Sequence, residues 1–120
     1  MPVKRVLIVE DHQLMREGLR FMLAGEEEYQ LVGEACDGQE AIRLAQVCKP
    51  DLVLLDLNMP RIDGLSVLRA IKKGHPGSRV LIVTAHQSEH HMHEAFRAGA
   101  DGYCLKDSSR EELLSAMASS

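Results

Sequence analysis

A short apolar segment near the middle of the chain, Leu52–Leu55, limits what this sequence can fold into. Four consecutive apolar residues shortly after a proline are too few for a helix and are typical of a β-strand buried on both faces. The strand ends at the carboxylate of Asp56, and Pro60 provides a turn soon afterwards. Because a carboxylate at the edge of an apolar core is costly unless something pairs with it, Asp56 needs a partner.

Other apolar segments have a similar strand-like composition, and stretches with helical periodicity separate them. The predicted strands cover residues 3–9, 31–36, 52–55, 79–83 and 102–105. Gly33 interrupts the second strand, which favours an edge position. Strands that alternate with helices over short connections predict right-handed crossovers and a parallel sheet covered on both faces. The predicted fold class is therefore α/β, a doubly wound, flavodoxin-like sheet of five strands in the order 2-1-3-4-5 with five helices.

Capping residues indicate where several helices begin or end. Asp37 with Glu40, and Ser108 with Glu111, fit the capping-box pattern, and Asp63 can cap the third helix. Gly25 is placed to end the first helix in a left-handed conformation. Apolar residues at helical spacing predict the buried face of the first helix, namely Leu14, Met15, Leu19, Met22 and Leu23. A fourth helix is expected over residues 88–98, and its predicted buried residues are Met92, Ala95 and Phe96.

Composition restricts the class of partner and the compartment. With 14 basic and 18 acidic residues the net charge is −4, which argues against nucleic-acid binding by this domain. The three cysteines, Cys36, Cys48 and Cys104, lack metal or redox spacing and are expected to be small core residues in a reducing compartment. No apolar run is long enough for a membrane span and no leader precedes the first strand, so a cytoplasmic protein with no membrane contact is expected.

Polar side chains follow several of the predicted strands. Glu10 and Asp11 come after the first strand, Asp56 after the third, Thr84 after the fourth and Lys106 after the fifth. Because the carboxyl ends of parallel strands lie at one edge of the sheet, where doubly wound folds bind ligands, these side chains are expected to converge.

Three carboxylates in one crevice repel one another, and a hard dication relieves that repulsion. Oxygen ligands of this kind suit Mg²⁺. Asp11 and Asp56 are expected to bind the metal directly, Glu10 at least partly through water, and Asn58 through its backbone carbonyl. A lysine and a threonine beside such a site favour phosphoryl chemistry, with Asp56 as the nucleophile.

These residues and their surroundings form a joint pattern. It comprises the acidic pair Glu10 and Asp11, the segment 54–64 around Asp56, Thr84 with its following alanine, and the segment 102–106. The pattern resembles the receiver domain of two-component response regulators. The resemblance covers essentially all of residues 1–120, which would form one receiver domain. The segments 11–18 and 106–114 are similar to the subgroup that carries a LuxR-type helix-turn-helix output domain.

The resemblance implies a role for each site residue. Asp56 would accept a phosphoryl group from a histidine of a sensor kinase, Glu10 and Asp11 would be the acidic metal pair, and Lys106 would pair with the phosphate. Such a protein catalyses its own phosphorylation and dephosphorylation but turns over no metabolite, so it is not an enzyme in the usual sense.

The resemblance also implies a switch and an output. Thr84 would be the switch hydroxyl, and the ring of Tyr103 would report phosphorylation on the face formed by helix 4, strand 5 and helix 5. Homodimerisation on phosphorylation would follow. DNA would be bound only through an output domain that residues 1–120 do not include. Such a domain was either removed or never present.

Two features need separate interpretation. His86, His90 and His93 stand at helical spacing, and an i, i+4 pair can hold Zn²⁺, although a histidine-rich exposed helix face is the preferred interpretation. His86 lies two residues after Thr84 just as Asn58 lies two after Asp56, and the resemblance implies that both tune dephosphorylation. Many receivers place proline, often in cis, after the lysine; here Asp107 follows Lys106, so a trans peptide is expected.

Two other functions fit part of the pattern. A haloacid-dehalogenase-type phosphatase also uses a strand-end Asp, Mg²⁺, a hydroxyl and a Lys, but its nucleophile motif is Asp-x-Asp near the N-terminus with a later acidic pair. Here the acidic pair comes first and position 58 is Asn. A receiver-like module that no longer accepts phosphate would be expected to lack Asp56 or Lys106, and this chain has both.

Overall fold

Five parallel strands form one sheet in the order β2-β1-β3-β4-β5 in a computed structural model of the chain. The structure describes residues 3–59, 63–85 and 88–120. The elements in chain order are β1 (Lys4–Val9), α1 (Gln13–Ala24), β2 (Tyr29–Ala35), α2 (Gly38–Cys48), β3 (Leu52–Leu55), α3 (Gly64–Gly74), β4 (Arg79–Thr84), α4 (Glu89–Arg97), β5 (Gly102–Leu105) and α5 (Arg110–Ser119). The predicted fold class and strand order are confirmed, including the edge position of β2.

The core lies on both faces of the sheet because successive strand residues point to opposite sides. The four residues of β3 are all buried, as the apolar segment predicted. Helices α2, α3 and α4 cover one face, where the buried residues include Leu7, Val9, Val53, Leu55, Val80, Ile82, Ala41, Ala45, Leu68, Ile71 and Ala95. Helices α1 and α5 cover the other, where they include Val6, Ile8, Leu52, Leu54, Leu81, Val83, Leu19, Leu23, Leu113 and Met117.

The predicted helix caps are only partly correct. Asp37 and Asp63 accept hydrogen bonds from the first turns of α2 and α3, as predicted. The side chain of Glu40, however, accepts from the backbone N–H of Cys36 rather than of Asp37, so the capping box is incomplete. Gly25 has right-handed backbone (φ −87°), and the predicted left-handed cap was wrong because α1 ends in a tight turn in which the Glu26 N–H donates to the carbonyl of Leu23.

The capping box of α5 lies one residue later than predicted. The Ser109 hydroxyl accepts from the backbone N–H of Glu112, and the Glu112 carboxylate accepts from the backbone N–H of Ser109. Ser108 instead lies beside the Cys104 thiol, 3.2 Å from its sulfur. Consecutive serines followed by consecutive glutamates allow two registers, and the structure adopts the second.

Two residues that were expected to be buried are exposed, Leu14 on α1 and Phe96 on α4. Leu14 is five positions before Leu19 and therefore lies off the buried stripe of that helix. On α4 only Ala95 is fully buried, and Phe96 is turned away from it by about 100°.

The cysteines also differ from the expectation that all three are core residues. Cys104 is buried and Cys48 is partly buried, but Cys36 is exposed because it precedes α2 at the surface. All three thiols are free. Within the described ranges, no helix is long and apolar enough to span a bilayer.

Candidate functional site

Two buried carboxylates meet at the carboxyl end of the sheet. Glu10 and Asp56 are each 1% exposed. They are neighbours because β1 and β3 are paired, with Val9 opposite Leu55, and each carboxylate follows directly. A backbone hydrogen bond from the Asp56 N–H to the carbonyl of Val9 (3.1 Å) extends this pairing by one residue, and the Glu10 N–H donates to the carbonyl of Ala35 on β2 (3.0 Å). Sheet register therefore places both carboxylates at the predicted edge.

The ammonium of Lys106 joins these carboxylates. Its Nζ donates to Glu10 and to Asp56 Oδ2, at 3.0 Å in each case. The backbone N–H of Lys106 donates to the carbonyl of Thr84 (2.7 Å), which fixes the lysine where β5 ends. Three residues separated by up to about a hundred positions are thus brought into direct contact, as the strand-end pattern predicted.

Glu10 and Lys106, which form an ion pair, both have shifted pKa values. Burial raises the pKa of Glu10, and the charge of Asp56 adds to the rise; the hydrogen bonds from Lys106 and His12 oppose it. For Lys106, burial opposes the charged form, but hydrogen bonds to Asp56 and Glu10 outweigh burial and raise the pKa of the ammonium. Lys106 therefore stays charged at neutral pH and compensates the carboxylates.

Asp11 supplies an oxygen that lacks a hydrogen bond. Its Oδ1 is fully buried and has no hydrogen-bond partner in the described part of the chain. The imidazole of His12 lies beside it, with Nδ1 3.3 Å from Asp11 Oδ1 and 2.9 Å from Glu10 Oε1. The Nδ1 contact with Glu10, and not that with Asp11, has hydrogen-bond geometry. A buried carboxylate oxygen without a donor is costly, so the cluster fits a cation.

The cluster has the composition of a divalent metal site. One ligand atom each from Glu10, Asp11, His12 and Asp56 lies within 4.8 Å of all the others. Carboxylate oxygens suit hard dications such as Mg²⁺ and Ca²⁺. The three predicted carboxylate ligands therefore lie together, and His12 joins them.

Asn58 is held beside Asp56 through its N–H groups. Its backbone N–H donates to Asp56 Oδ1 (2.9 Å), and its side-chain amide donates to the Thr84 hydroxyl (2.9 Å). Asn58 thus links the Asp56 carboxylate to the predicted switch hydroxyl of Thr84. The role of its carbonyl as a metal ligand stays a prediction.

A cavity of about 160 Å³ lies next to the site, between the loop after β3 and α4. Its lining includes Asn58, Thr84, His91, Glu94 and Tyr103. Tyr103 is half-buried on β5 and packs against the core, and burial raises the pKa of its hydroxyl. The cavity therefore connects the predicted switch hydroxyl to the predicted switch aromatic.

The remaining predictions fare differently. Pro60 and His86 lie outside the described residues. Over the described ranges no peptide bond is cis, which agrees with the trans bond expected after Lys106. His90 contacts Glu94 at 3.7 Å, and in the part of the chain that the structure describes the only group of ligand-type side chains is the one around Asp56.

Sequence reasoning missed two residues that contact the site, the N-cap residue of α1 and one residue within that helix. His12 reaches Glu10 and Asp11, and the Arg16 guanidinium donates to the backbone carbonyl of Glu10 (2.8 Å). The signal for His12 was its position directly after the acidic pair. No sequence feature indicated Arg16, because its contact with the Glu10 carbonyl depends on how α1 packs against the sheet.

Comparisons with known proteins agree with this geometry. The family described as Response regulator receiver domain matches residues 6–118. The transcriptional regulatory protein YdfI of Bacillus subtilis is 41% identical over 115 residues, which are 96% of this chain and 54% of that protein. The chain spans about half the length of the curated relatives it matches.

Solved structures are similar over almost the whole chain. A LuxR-family two-component response regulator from Aurantimonas sp. SI85-9A1 has a TM-score of 0.91 and 38% identity, covering 98% of this chain and 84% of that one. A response regulator protein from Burkholderia pseudomallei has a TM-score of 0.86 and 27% identity, covering 94% of this chain and 65% of that one. The Burkholderia structure contains a phosphorylated aspartic acid, a calcium ion and citrate.

Proposed function

Since this chain belongs to the response regulator receiver domain family, we propose that it accepts a phosphoryl group on Asp56 from a phosphorylated histidine of a sensor kinase. The observation that carries the proposal is the contact of Lys106 Nζ with the buried carboxylates of Asp56 and Glu10, at 3.0 Å each. The proposed nucleophile, a lysine ammonium and the two carboxylates of the proposed metal pair lie in one crevice. This combination serves phosphoryl transfer to a carboxylate.

The residues around Asp56 orient it before the donor arrives. Lys106 holds Oδ2 and the Asn58 N–H holds Oδ1, so both oxygens are fixed. In the transfer, a carboxylate oxygen of Asp56 forms a bond to phosphorus. The bond from phosphorus to the donor imidazole nitrogen breaks, and that nitrogen keeps the electron pair. Lys106 then pairs with the phosphoryl oxygens, and the Thr84 hydroxyl donates to one of them.

The proposed metal site comprises Glu10, Asp11, Asp56 and the carbonyl of Asn58, and Mg²⁺ is the proposed cofactor. When bound, a dication would neutralise the charge that the phosphoryl group brings to the crevice. The buried, unpartnered Oδ1 of Asp11 supports this assignment. So does the calcium ion in the phosphorylated Burkholderia relative.

Phosphorylation of Asp56 would change the cavity that Thr84 and Tyr103 line. The Asn58 amide donates to Thr84 in the present structure, so a phosphoryl group that draws the hydroxyl away would free that amide. Movement of Thr84 leaves space for the Tyr103 ring, which lines the same cavity, to turn inward. The proposed output is therefore a change on the face of α4, β5 and α5.

The proposed context is transcriptional regulation in the cytoplasm. The chain spans about half of relatives named as transcriptional regulators, so DNA binding is proposed for a separate output domain. Homodimerisation on phosphorylation is part of the proposal. Sizing this chain with and without beryllofluoride tests it: an unchanged size with bound beryllofluoride would exclude dimerisation through this domain alone.

Incubation with Mg²⁺ and acetyl phosphate tests the proposed chemistry and separates the alternatives. A receiver forms one acid-stable, base-labile acyl phosphate per chain, and Asp56→Asn abolishes it. Asp107→Asn is a matched control, because Asp107 is exposed and close in sequence to Lys106. Continuous hydrolysis of phosphate esters would favour a phosphatase, and the absence of any adduct would favour a module that no longer accepts phosphate.

The lifetime of the phosphorylated state is proposed to depend on Asn58 and His86. The backbone N–H of Asn58 donates to Asp56 and keeps this residue beside the carboxylate. A side chain at that position can limit the access of water to the phosphorus atom. His86 is included in this proposal because of its sequence position alone, two residues after Thr84. If Asn58→Ala and His86→Ala each leave the dephosphorylation rate unchanged, this proposal fails.

A further inference from the structure

The imidazole of His12 lies in the acidic cluster, and the proposed phosphoryl transfer does not use it. Its Nδ1 lies 2.9 Å from Glu10 Oε1 and 3.3 Å from Asp11 Oδ1. One ligand atom from each of these three residues and from Asp56 lies within 4.8 Å of all the others. A metal ion placed among the carboxylates would therefore meet a ring nitrogen as well as oxygens.

A second observation concerns a carboxylate oxygen of the same cluster. Asp11 Oδ1 is buried, and among the described residues it has no hydrogen-bond partner. Nδ1 of His12 lies 3.3 Å from this oxygen, but its hydrogen bond is to Glu10 instead. A dication between Asp11 and Glu10 would satisfy both carboxylates and would replace the hydrogen bond between Glu10 and Nδ1.

The position of His12 permits it to ligate. Its side chain is 68% exposed, so the ring can adjust while Nε2 remains in water. In the neutral ring the single N–H proton can move from Nδ1 to Nε2, which leaves the Nδ1 lone pair for a metal. His12 is also the N-cap residue of α1, but its side chain makes no capping hydrogen bond, so no helix contact is lost.

Ligand type then determines which ion is preferred. Carboxylate and carbonyl oxygens suit Mg²⁺ and Ca²⁺, whereas an imidazole nitrogen adds affinity for first-row transition dications, increasing from Mn²⁺ to Co²⁺. We propose that His12 is a nitrogen ligand of the divalent site and that it shifts the preference of this receiver from Mg²⁺ towards Mn²⁺ and Co²⁺. The inference rests on the proposed metal site at Asp56.

His12→Asn separates ligation from simple hydrogen bonding. The amide of Asn can still donate to Glu10, and Asn is a favourable N-cap residue, so the start of α1 is preserved. It has no ring nitrogen to bind a metal. His93→Asn is the matched control, because His93 is an exposed histidine on α4 and lies outside the cluster.

The experiment is calorimetric titration of chelator-treated protein with Mg²⁺, Mn²⁺ and Co²⁺ at one fixed pH. We expect His12→Asn to lower the affinities for Mn²⁺ and Co²⁺ relative to Mg²⁺ by about tenfold or more, since replacement of even a hydrogen-bond partner of a metal ligand typically lowers metal affinity by about 10–100-fold. His93→Asn should leave the ratios unchanged. The visible absorption of bound Co²⁺ should differ between the parent and His12→Asn, since the spectrum depends on the ligand atoms.

Two results would overturn the inference, and they have different meanings. If all three ions bind and the affinity ratios are the same in His12→Asn, His12 is not a ligand, while the proposed phosphoryl site remains. If the parent binds none of the ions, the metal site itself is absent, and the proposed function fails together with this inference.

Discussion

Replacement of Lys106 by methionine tests whether the lysine compensates the buried carboxylates. Its Nζ lies 3.0 Å from both Glu10 and Asp56, and each of those residues is 1% exposed. Removal of one partner of a buried ion pair costs about 3–5 kcal/mol because it leaves an uncompensated charge. Since the lysine side chain itself is 16% exposed, water can enter after the substitution, and we expect a loss of about 3 kcal/mol, the lower end of that range.

The assay is urea denaturation in the presence of a chelator and again with saturating Mg²⁺ or Mn²⁺. A dication neutralises the same carboxylates, so the loss in Lys106→Met should be smaller when it is bound. Adding Asp56→Asn to Lys106→Met should recover at least about 1 kcal/mol, because one of the two uncompensated charges is gone.

Lys72→Met provides the control. Lys72 pairs with Asp101 at 2.9 Å in a more exposed setting away from the cluster, so its loss should not depend on the metal. The reasoning is refuted if Lys106→Met loses less than about 1 kcal/mol in chelator. It is also refuted if the dication leaves the loss of Lys106→Met unchanged.

Three further predictions concern the loop after β3, the α5 cap and the pH dependence of stability. Gly64→Ala should cost about 1–3 kcal/mol in urea denaturation and slow the phosphorylation of Asp56, because the added Cβ would lie 2.7 Å from the backbone of Leu57; unchanged stability and rate would contradict the close packing. Ser109→Ala should cost about 1 kcal/mol, since it removes the α5 cap, and Ser108→Ala should cost less; equal losses would contradict the observed register. Burial raises the folded-state pKa of Glu10 above the ordinary value of 4.5, so metal-free stability should decline as pH rises from that value through the folded pKa. Glu10→Gln should remove this decline, and an identical pH profile in the variant would contradict the assigned direction.

The sequence predicts the sheet well because burial on both faces leaves a strong apolar signal. Leu52–Leu55 and the other strands are recognisable without tertiary information, and alternation with helices restricts their order. The same order brings Glu10, Asp56 and Lys106 together, so that part of the site follows from the fold. Their convergence needs no accurate side-chain placement.

The details that sequence reasoning missed depend on contacts made after the elements pack. The α5 register could not be chosen from Ser108 and Ser109, since both fit the pattern and only docking against β5 separates them. Phe96 was assigned to the core because one residue of error in a helix face moves a side chain by about 100°. His12 depends on the turn between β1 and α1, which places its ring on Glu10.

Localisation of the phosphoryl group tests the central claim most directly. After reaction with acetyl phosphate and Mg²⁺, borohydride converts an aspartyl phosphate into homoserine, which peptide mass spectrometry can locate. We expect homoserine at position 56 and nowhere else, with none formed when the metal is chelated or in Asp56→Asn. Homoserine at another aspartate, or an unmodified Asp56 in protein that binds the metal, would contradict the assignment of Asp56 as the phosphoryl acceptor.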